Sequence, residues 1–462
     1  MNGFFKIIHN IWSIEELRLK VGVTLALLLI YRFGAYVPLP GVDPQGISDF
    51  MSNVNPGAKG VMQILSSFTG GAFNRASVLA LGIMPYISAS IVVQLMGLAF
   101  PYLQKLQKDG ESGRRQINRI TRWLTIAICL VQAPVYLTAL TTQFIPFSSV
   151  PEAYLIDISG STGWFLFWIV SIVVLTAGTL FTMWLGEKIT DKGIGNGVSL
   201  IIMAGILARF PDAIVAEVVN RLEVGNGGLI FLFFEGLLWL LVILFCILII
   251  QAVRQVPVQY VRPVQAGSGS NYMRSVINAI RQYIPLKVTA SGVMPIIFSQ
   301  AIMLLPVIFL TYVGNEKVKF LVESLQDIYG FWYNLMFAIL IILFTFFYTA
   351  VSIPVNQMAD DLKRNGGHIP KIKPGKETAD YLDDILSKIT LPGAVLLAIV
   401  AVLPSLIVQI GVTQNFALFY GGTSLLIIVG VVLDTIQQVD AYLLNHHYDG
   451  LMQSKRSSKT LI

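Results

Sequence analysis

Charge is what this chain has least of. Asp, Glu, Lys and Arg make up 13% of its 462 residues, against about 25% in soluble globular domains. Hydrophobic residues are 55% and the mean hydropathy is +0.70. A soluble fold of this length needs far more polar surface, so the solvent around most of the chain is lipid. Cysteine is almost missing: Cys129 and Cys246 both sit inside apolar runs, which argues against a disulfide framework and leaves them as packing residues. The four histidines, His9, His368, His446 and His447, fall in polar segments, and no His-Glu-x-x-His pair is present to bind zinc. The nearest approach to a phosphate loop is Gly375-Lys376. There Glu377 stands where Ser or Thr would hold magnesium, and Pro370 stands where the first glycine belongs. ATP is not bound through that motif, so energy for any transport comes from a partner or a gradient.

The apolar runs are short of carboxylates as well. Glu235 and Asp434 are the obvious ones, with Arg32 as the cation. A charge at the bilayer centre costs about 2.5–3.5 kcal/mol on insertion scales and marks ion or proton pathways. A coupled transporter normally carries several such groups near the midplane. Three scattered ones weigh against a secondary transporter built from five-plus-five repeats.

Apolar length, by contrast, is abundant. Runs long enough to cross a ~30 Å hydrocarbon core lie near 21–37, 76–99, 123–140, 164–186, 228–250, 288–313, 332–352, 389–410 and 416–439, with a shorter one at 195–210. The first is not a cleaved signal peptide: it follows an amphipathic basic stretch, Ile14–Lys20, and runs into Val-Pro-Leu-Pro-Gly without a small-residue cleavage site. Ten spans put both termini on one side. That side then holds 25 of the 32 Lys and Arg residues, while Lys59, Arg75, Arg209, Arg221, Lys317 and Lys319 lie opposite. By the positive-inside rule the 25-residue side is cytoplasmic. Dropping the short fifth span would invert every later loop, so the charge division supports it.

One internal echo stands out. Gly82-Ile83-Met84-Pro85-Tyr86-Ile87 in the second span returns as Gly292-Val293-Met294-Pro295-Ile296-Ile297 in the seventh. The two occupy corresponding places in two sets of five helices, and an odd number forces the second set to cross in the opposite sense. That is the pattern of an inverted repeat, with a functional site expected at the interface of the halves. Pro85 and Pro295 each lack a backbone donor, which predicts that these two helices bend and face the interior of the bundle, where freed carbonyls can be satisfied. Two loops are too long for simple connectors. Segment 38–75 contains a half-apolar helix candidate over 60–71, closed by a glycine pair. Segment 353–388 is turn-rich, carries six Lys and Arg residues, and reads as a protruding cytoplasmic hairpin.

Several long blocks resemble the SecY family, the channel subunits of the bacterial Sec translocon, over nearly the whole chain. They are Arg32-Phe33-Gly34 with Val37-Pro38-Leu39-Pro40-Gly41-Val42-Asp43, Gly70-Gly71-Ala72 with Arg75-Ala76-Ser77, and the run Ala80–Ser90. Further blocks are Gly110-Glu111-Ser112-Gly113-Arg114-Arg115-Gln116-Ile117, Gly193-Ile194-Gly195-Asn196-Gly197, Pro285-Leu286-Lys287-Val288 and Gly421–Ile427. The resemblance implies an all-α membrane protein of ten transmembrane helices in two inverted five-helix halves, with a central pore and a plug helix. It implies no enzymatic activity, no cofactor and no metal. The expected organisation is a cytoplasmic segment (1–20), a first half (21–210) with its plug at 60–71, an extracytoplasmic linker (211–227), a second half (228–440) and a cytoplasmic tail (441–462).

Carried over residue by residue, the family's apolar waist falls on Ile83, Ile87, Val198, Ile202, Ile297 and Ile427, with Val198 smaller than the family's usual isoleucine. Branched apolar side chains offer ions no ligand, so such a constriction stays dewetted. The plug maps to Gly60, Ile64, Leu65, Phe68, Gly70 and Gly71, and the lateral gate to Pro85, Ser88, Gln132, Pro295 and Leu305. Loops 253–287 and 353–388 match those on which the SecA motor and the ribosome dock, through Arg254, Lys371, Lys373 and Lys376. Two departures stand out there: Lys371-Ile372-Lys373-Pro374-Gly375 replaces the family's Gly-Ile-Arg-Pro-Gly, and Arg254-Gln255 replaces an arginine pair. A point charge in place of a forked guanidinium changes docking geometry. The partners implied are SecE and SecG, SecA, the ribosome and its nascent chain, signal peptides, membrane lipid, YidC and SecD/SecF. A membrane insertase without a through-pore would share the basic loops but not the glycine-closed segment at 60–71.

Overall fold

The computed structural model describes residues 12, 14–42, 66, 69–138, 161–223, 228–260, 282–289, 292–300, 302–303 and 327–457. In chain order the helices before the first strand are α1 (Glu15–Gly34), α2 (Met84–Ala99), α3 (Pro101–Lys108), α4 (Gly110–Thr138), α5 (Ser161–Lys192), α6 (Gly197–Leu207), α7 (Phe210–Leu222) and α8 (Gly228–Gln251). Strands β1 (Val253–Tyr260) and β2 (Gln282–Lys287) follow. Then come α9 (Phe331–Ser352), α10 (Val355–Arg364), β3 (Gly367–His368), α11 (Lys376–Gln409), α12 (Gln414–Ala417) and α13 (Gly422–Ser457). The chain divides into two compact units, one of 1–217, 326–328 and 427–462, the other of 218–325 and 329–426.

Among the described residues seven helices are long and apolar enough to cross a membrane, or eight if α2 and α3, which meet at a 105° bend, count as one span. The expected first span, 21–37, overlaps α1, whose 20 residues are about 30 Å long but which is not among those seven. Glu15 and Glu16 in its first turn and Arg32 in its last complement the helix dipole. Half of the expected seventh span, 288–313, falls outside the described residues. The stretch 211–227, read from sequence as a linker, is helical through most of its length as α7.

Lipid exposure explains the outer faces. Along α8, Leu229, Phe233, Leu237, Leu240 and Leu244 are all more than half exposed at spacings of three and four, one apolar stripe with nothing against it among the described residues. Several buried hydroxyls inside the helices are satisfied locally. Thr125, Thr176, Thr345, Thr349 and Thr390 each donate to the carbonyl four residues back, which removes an unpaired donor from an apolar interior.

The helical expectation needs one addition. Loops 253–287 and 353–388 fold in the second unit into a three-stranded antiparallel sheet of order β2-β1-β3, with Val256 opposite Ile284 and Gln259 opposite His368. Val256 and Val258 point to one face and are buried, while Gln255 and Pro257, which alternate with them, are exposed. Leu362 of α10, Ile369, and Leu382 and Leu386 of α11 close a small core over that face. The alternating Val256, Val258, Tyr260 pattern was the available strand signal.

Candidate functional site

The glycine-methionine-proline echo is a shared backbone device. Gly82 has φ +54° and Gly292 φ +61°, the left-handed region where glycine alone is unstrained. Each donates its N–H to the carbonyl three residues back, Leu79 and Thr289, both at 2.9 Å. Helix then begins at the methionine in both, as α2 and as residues 294–300. The expectation that Pro85 and Pro295 bend their helices from within is therefore corrected. Both stand at the second helical position, in the first turn, where an N–H has no partner inside the helix and its loss costs nothing.

This device sets where the waist candidates stand. Ile83 is the cap residue of α2 and its carbonyl accepts from the Ile87 N–H at 3.1 Å, so the two lie one turn apart. Val198 and Ile202 have the same four-residue spacing on α6, which places them on one face. Ile427 lies in the second turn of α13. These five belong to the first unit and Ile297 to the second. Ile202 is 2% exposed and Ile427 1%, Ile83, Ile87 and Ile297 are also buried, and Val198 is half-buried. None of the six is exposed.

Of the plug candidates, Gly60, Ile64, Leu65 and Phe68 lie outside the described residues. Gly70 and Gly71 are described and both have positive φ, +63° and +88°. The Gly71 N–H donates to the Ser66 carbonyl at 2.8 Å, and the Phe73 N–H to Thr69 Oγ1 at 3.1 Å. A Cβ on Gly70 would sit 3.0 Å from the Gly205 Cα of α6 and closer still to the Arg32 guanidinium. Arg32, the cation of the first span, donates from Nη1 to the Gly70 carbonyl at 3.2 Å. Tyr136 on α4 donates to the Phe73 carbonyl at 2.9 Å, and Thr182 on α5 to the Gly82 carbonyl at 3.1 Å. The turns from 69 to 83 are thus tied to four helices of the first unit.

For the gate candidates, Ser88 on α2 and Gln132 on α4 are half-buried on two helices that lie against each other. Pro295 is buried in the second unit, and Leu305 lies outside the described residues. The docking candidates lie on the sheet or on the turn and helix start that follow it. Arg254 is exposed on β1; Lys371, with φ +68°, and Lys373 are exposed on the turn leading to α11, whose first residue is Lys376. Lys373 Nζ is 3.7 Å from Glu377, an exposed pair of little energetic weight.

Two arrangements escaped the sequence reading. Glu235 on α8 forms a buried ion pair with Arg221 at the end of α7, and Tyr420 donates to the Glu235 carbonyl at 2.7 Å. The intramembrane carboxylate is thereby accounted for by a structural partner. The other is the loop Gly193–Gly197, held by side chains from three helices. Neither has a local signal, because the partners are remote in sequence.

A profile of the SecY family matches residues 77–436. The protein translocase subunit SecY of Chlamydia muridarum is 37% identical over 460 residues, covering 97% of this chain and 98% of its own length. That of Aquifex aeolicus is 36% identical over 439 residues, 95% of this chain and 97% of its own. Among solved structures, one described as a protein conducting channel aligns with a TM-score of 0.60 at 16% identity over 91% of both chains. The channel of the canine ribosome-channel complex from the endoplasmic reticulum aligns at 0.55 and 15%, again over 91% of both. At these identities the structures speak to the fold, and the sequence relatives to the family: this chain belongs to the SecY family.

Proposed function

We propose that this chain is the pore-forming subunit of a Sec translocase, passing unfolded polypeptides across a bacterial inner membrane and releasing transmembrane segments sideways into lipid. The observation that carries the reading is the repeated device at Gly82 and Gly292. It opens two related helices, one in each unit, on buried apolar residues that offer an ion no ligand. Ile83, Ile87, Val198, Ile202, Ile297 and Ile427 form the dewetted waist, and the 60–71 segment plugs it. Ser88, Gln132 and Leu305 border the seam between halves through which signal peptides and nascent helices leave. Both termini are cytoplasmic, as the Lys and Arg distribution supports.

SecE and SecG complete the channel, YidC and SecD/SecF assist it, and SecA or a ribosome docks on the sheet module through Arg254, Lys371, Lys373 and Lys376. A module built on its own small core, with Arg254, Lys371 and Lys373 exposed, is suited to that task. The test is Ile427→Asn. An amide in the dry constriction favours water there and shifts the resting equilibrium by about 1–3 kcal/mol. Resting ion leak should rise and precursors with defective signal sequences should be exported, while Ile427→Leu does little. Conductance and export equal to the parent's would mean that Ile427 is an ordinary core residue.

A further inference from the structure

Between α5 and α6 the chain turns in five residues, Gly193-Ile194-Gly195-Asn196-Gly197, and most of its amides are claimed by side chains rather than by backbone. The Gly193 N–H reaches the Ile189 carbonyl at 2.8 Å. The Ile194 N–H donates to Thr24 Oγ1 on α1 at 3.0 Å, the Gly195 N–H to Gln438 Oε1 on α13 at 2.9 Å, and the Gly197 N–H to Thr190 Oγ1 on α5 at 2.9 Å. Asn196 Oδ1 then accepts from Val198 and Ser199 and starts α6. Three helices, reaching across 170 and 243 residues of sequence in two of these bonds, meet in one short turn.

The glycines are what let them meet. A Cβ on Gly193 would lie 2.3 Å from Thr24 Oγ1, and one on Gly197 would lie 1.9 Å from the Gly186 carbonyl. Gly195 has φ +84°, and a Cβ there would stand 3.1 Å from Thr435 Oγ1 of α13. Lys20 reinforces the junction by lying over the Tyr442 ring at 4.0 Å and donating to its hydroxyl at 2.5 Å, a second tie between α1 and α13.

The turn is the root of α6, and Val198 follows it at once. α13 carries Ile427 eleven residues before Gln438, about 16 Å along the helix. We propose that Thr24 and Gln438 are positioning residues: they latch the 193–197 turn to α1 and α13 and so set α6 against α13, and with it the closed waist. This rests on the waist assignment made above. Neither side chain touches the waist; each acts through the backbone of the turn.

The variants are Gln438→Leu and Thr24→Val, which remove the acceptors with little change of volume, and Gln438→Glu and Thr24→Ser, which keep them. In the assembled translocase in lipid vesicles, amide hydrogen exchange over residues 193–199 should speed by roughly fivefold in Gln438→Leu and Thr24→Val, as expected for one lost hydrogen bond. Gln438→Glu and Thr24→Ser should return it to the parent rate. Resting ion conductance and export of signal-defective precursors should rise in the first two variants and fall back in the second two. Unchanged exchange in both acceptor-free variants overturns the latch. Faster exchange with unaltered conductance and export, while Ile427→Asn still leaks, overturns its link to the waist and leaves the waist standing. If Ile427→Asn is also silent, the waist assignment fails, and the positioning role fails with it.

Discussion

The same six-residue device occurs in both units, yet its surroundings differ. At Gly82 a Cβ would stand 3.0 Å from Thr69, and the glycine carbonyl accepts from Thr182. At Gly292 nothing among the described residues lies within 4 Å of where a Cβ would be, and the glycine is exposed. The backbone is nevertheless alike in both. The conformation therefore belongs to the local sequence: a glycine able to take positive φ, then a proline suited to a first helical turn. How firmly it is held belongs to the neighbours. The units also differ in how they satisfy buried polar groups. In the first, Thr, Tyr and Gln side chains and the Arg32 guanidinium bond to backbone atoms, and in the second Arg221 and Glu235 form a buried ion pair.

That second contrast carries the largest expected effect. Glu235→Leu leaves the Arg221 guanidinium buried without its carboxylate, which should destabilise the chain by about 3–5 kcal/mol. The double change Arg221→Met with Glu235→Leu should recover most of that loss. Thermal unfolding of the purified complex reads both. A double variant no better than Glu235→Leu would show that the charges do more than neutralise each other.

Next comes the echo itself. Gly82→Ala combines a left-handed alanine, about 1–3 kcal/mol, with the Thr69 contact. Gly292→Ala meets the backbone penalty alone. We expect Gly82→Ala to be the worse by about 1 kcal/mol in the same unfolding measurement. Equal effects would break the comparison, because they would mean that the surroundings of Gly82 add nothing.

The smallest effect on stability is expected in the sheet module. Lys373→Glu breaks one exposed pair with Glu377, worth at most about 1 kcal/mol, so abundance in the membrane should not change. SecA-driven export should fall if Lys373 docks the motor. Loss of the protein itself would assign Lys373 a structural role instead.

Much of this fold was legible before any coordinates. The apolar runs of α4, α5, α8, α9, α11 and α13 announced themselves by length, and the positions of Gly82 and Gly292 announced a repeat. The sheet was harder, because Val256 and Val258 alternate over too few residues to outweigh a loop rich in Pro and Gly. Pro85 misled: read inside a long apolar run it suggests a bend, whereas the helix begins one residue earlier.

Composition and hydropathy alone established a multi-spanning chain, and local conformational preference alone established the turns that open the two echo helices. Tertiary structure decided the partners. Thr24 with Ile194 and Gln438 with Gly195 join a helix to the turn between two others, and Arg221 with Glu235 joins two helices, and a hydrogen bond acts over about 3 Å. Whether two such groups come within that distance depends on how whole helices lie against one another, which no periodicity along one helix encodes.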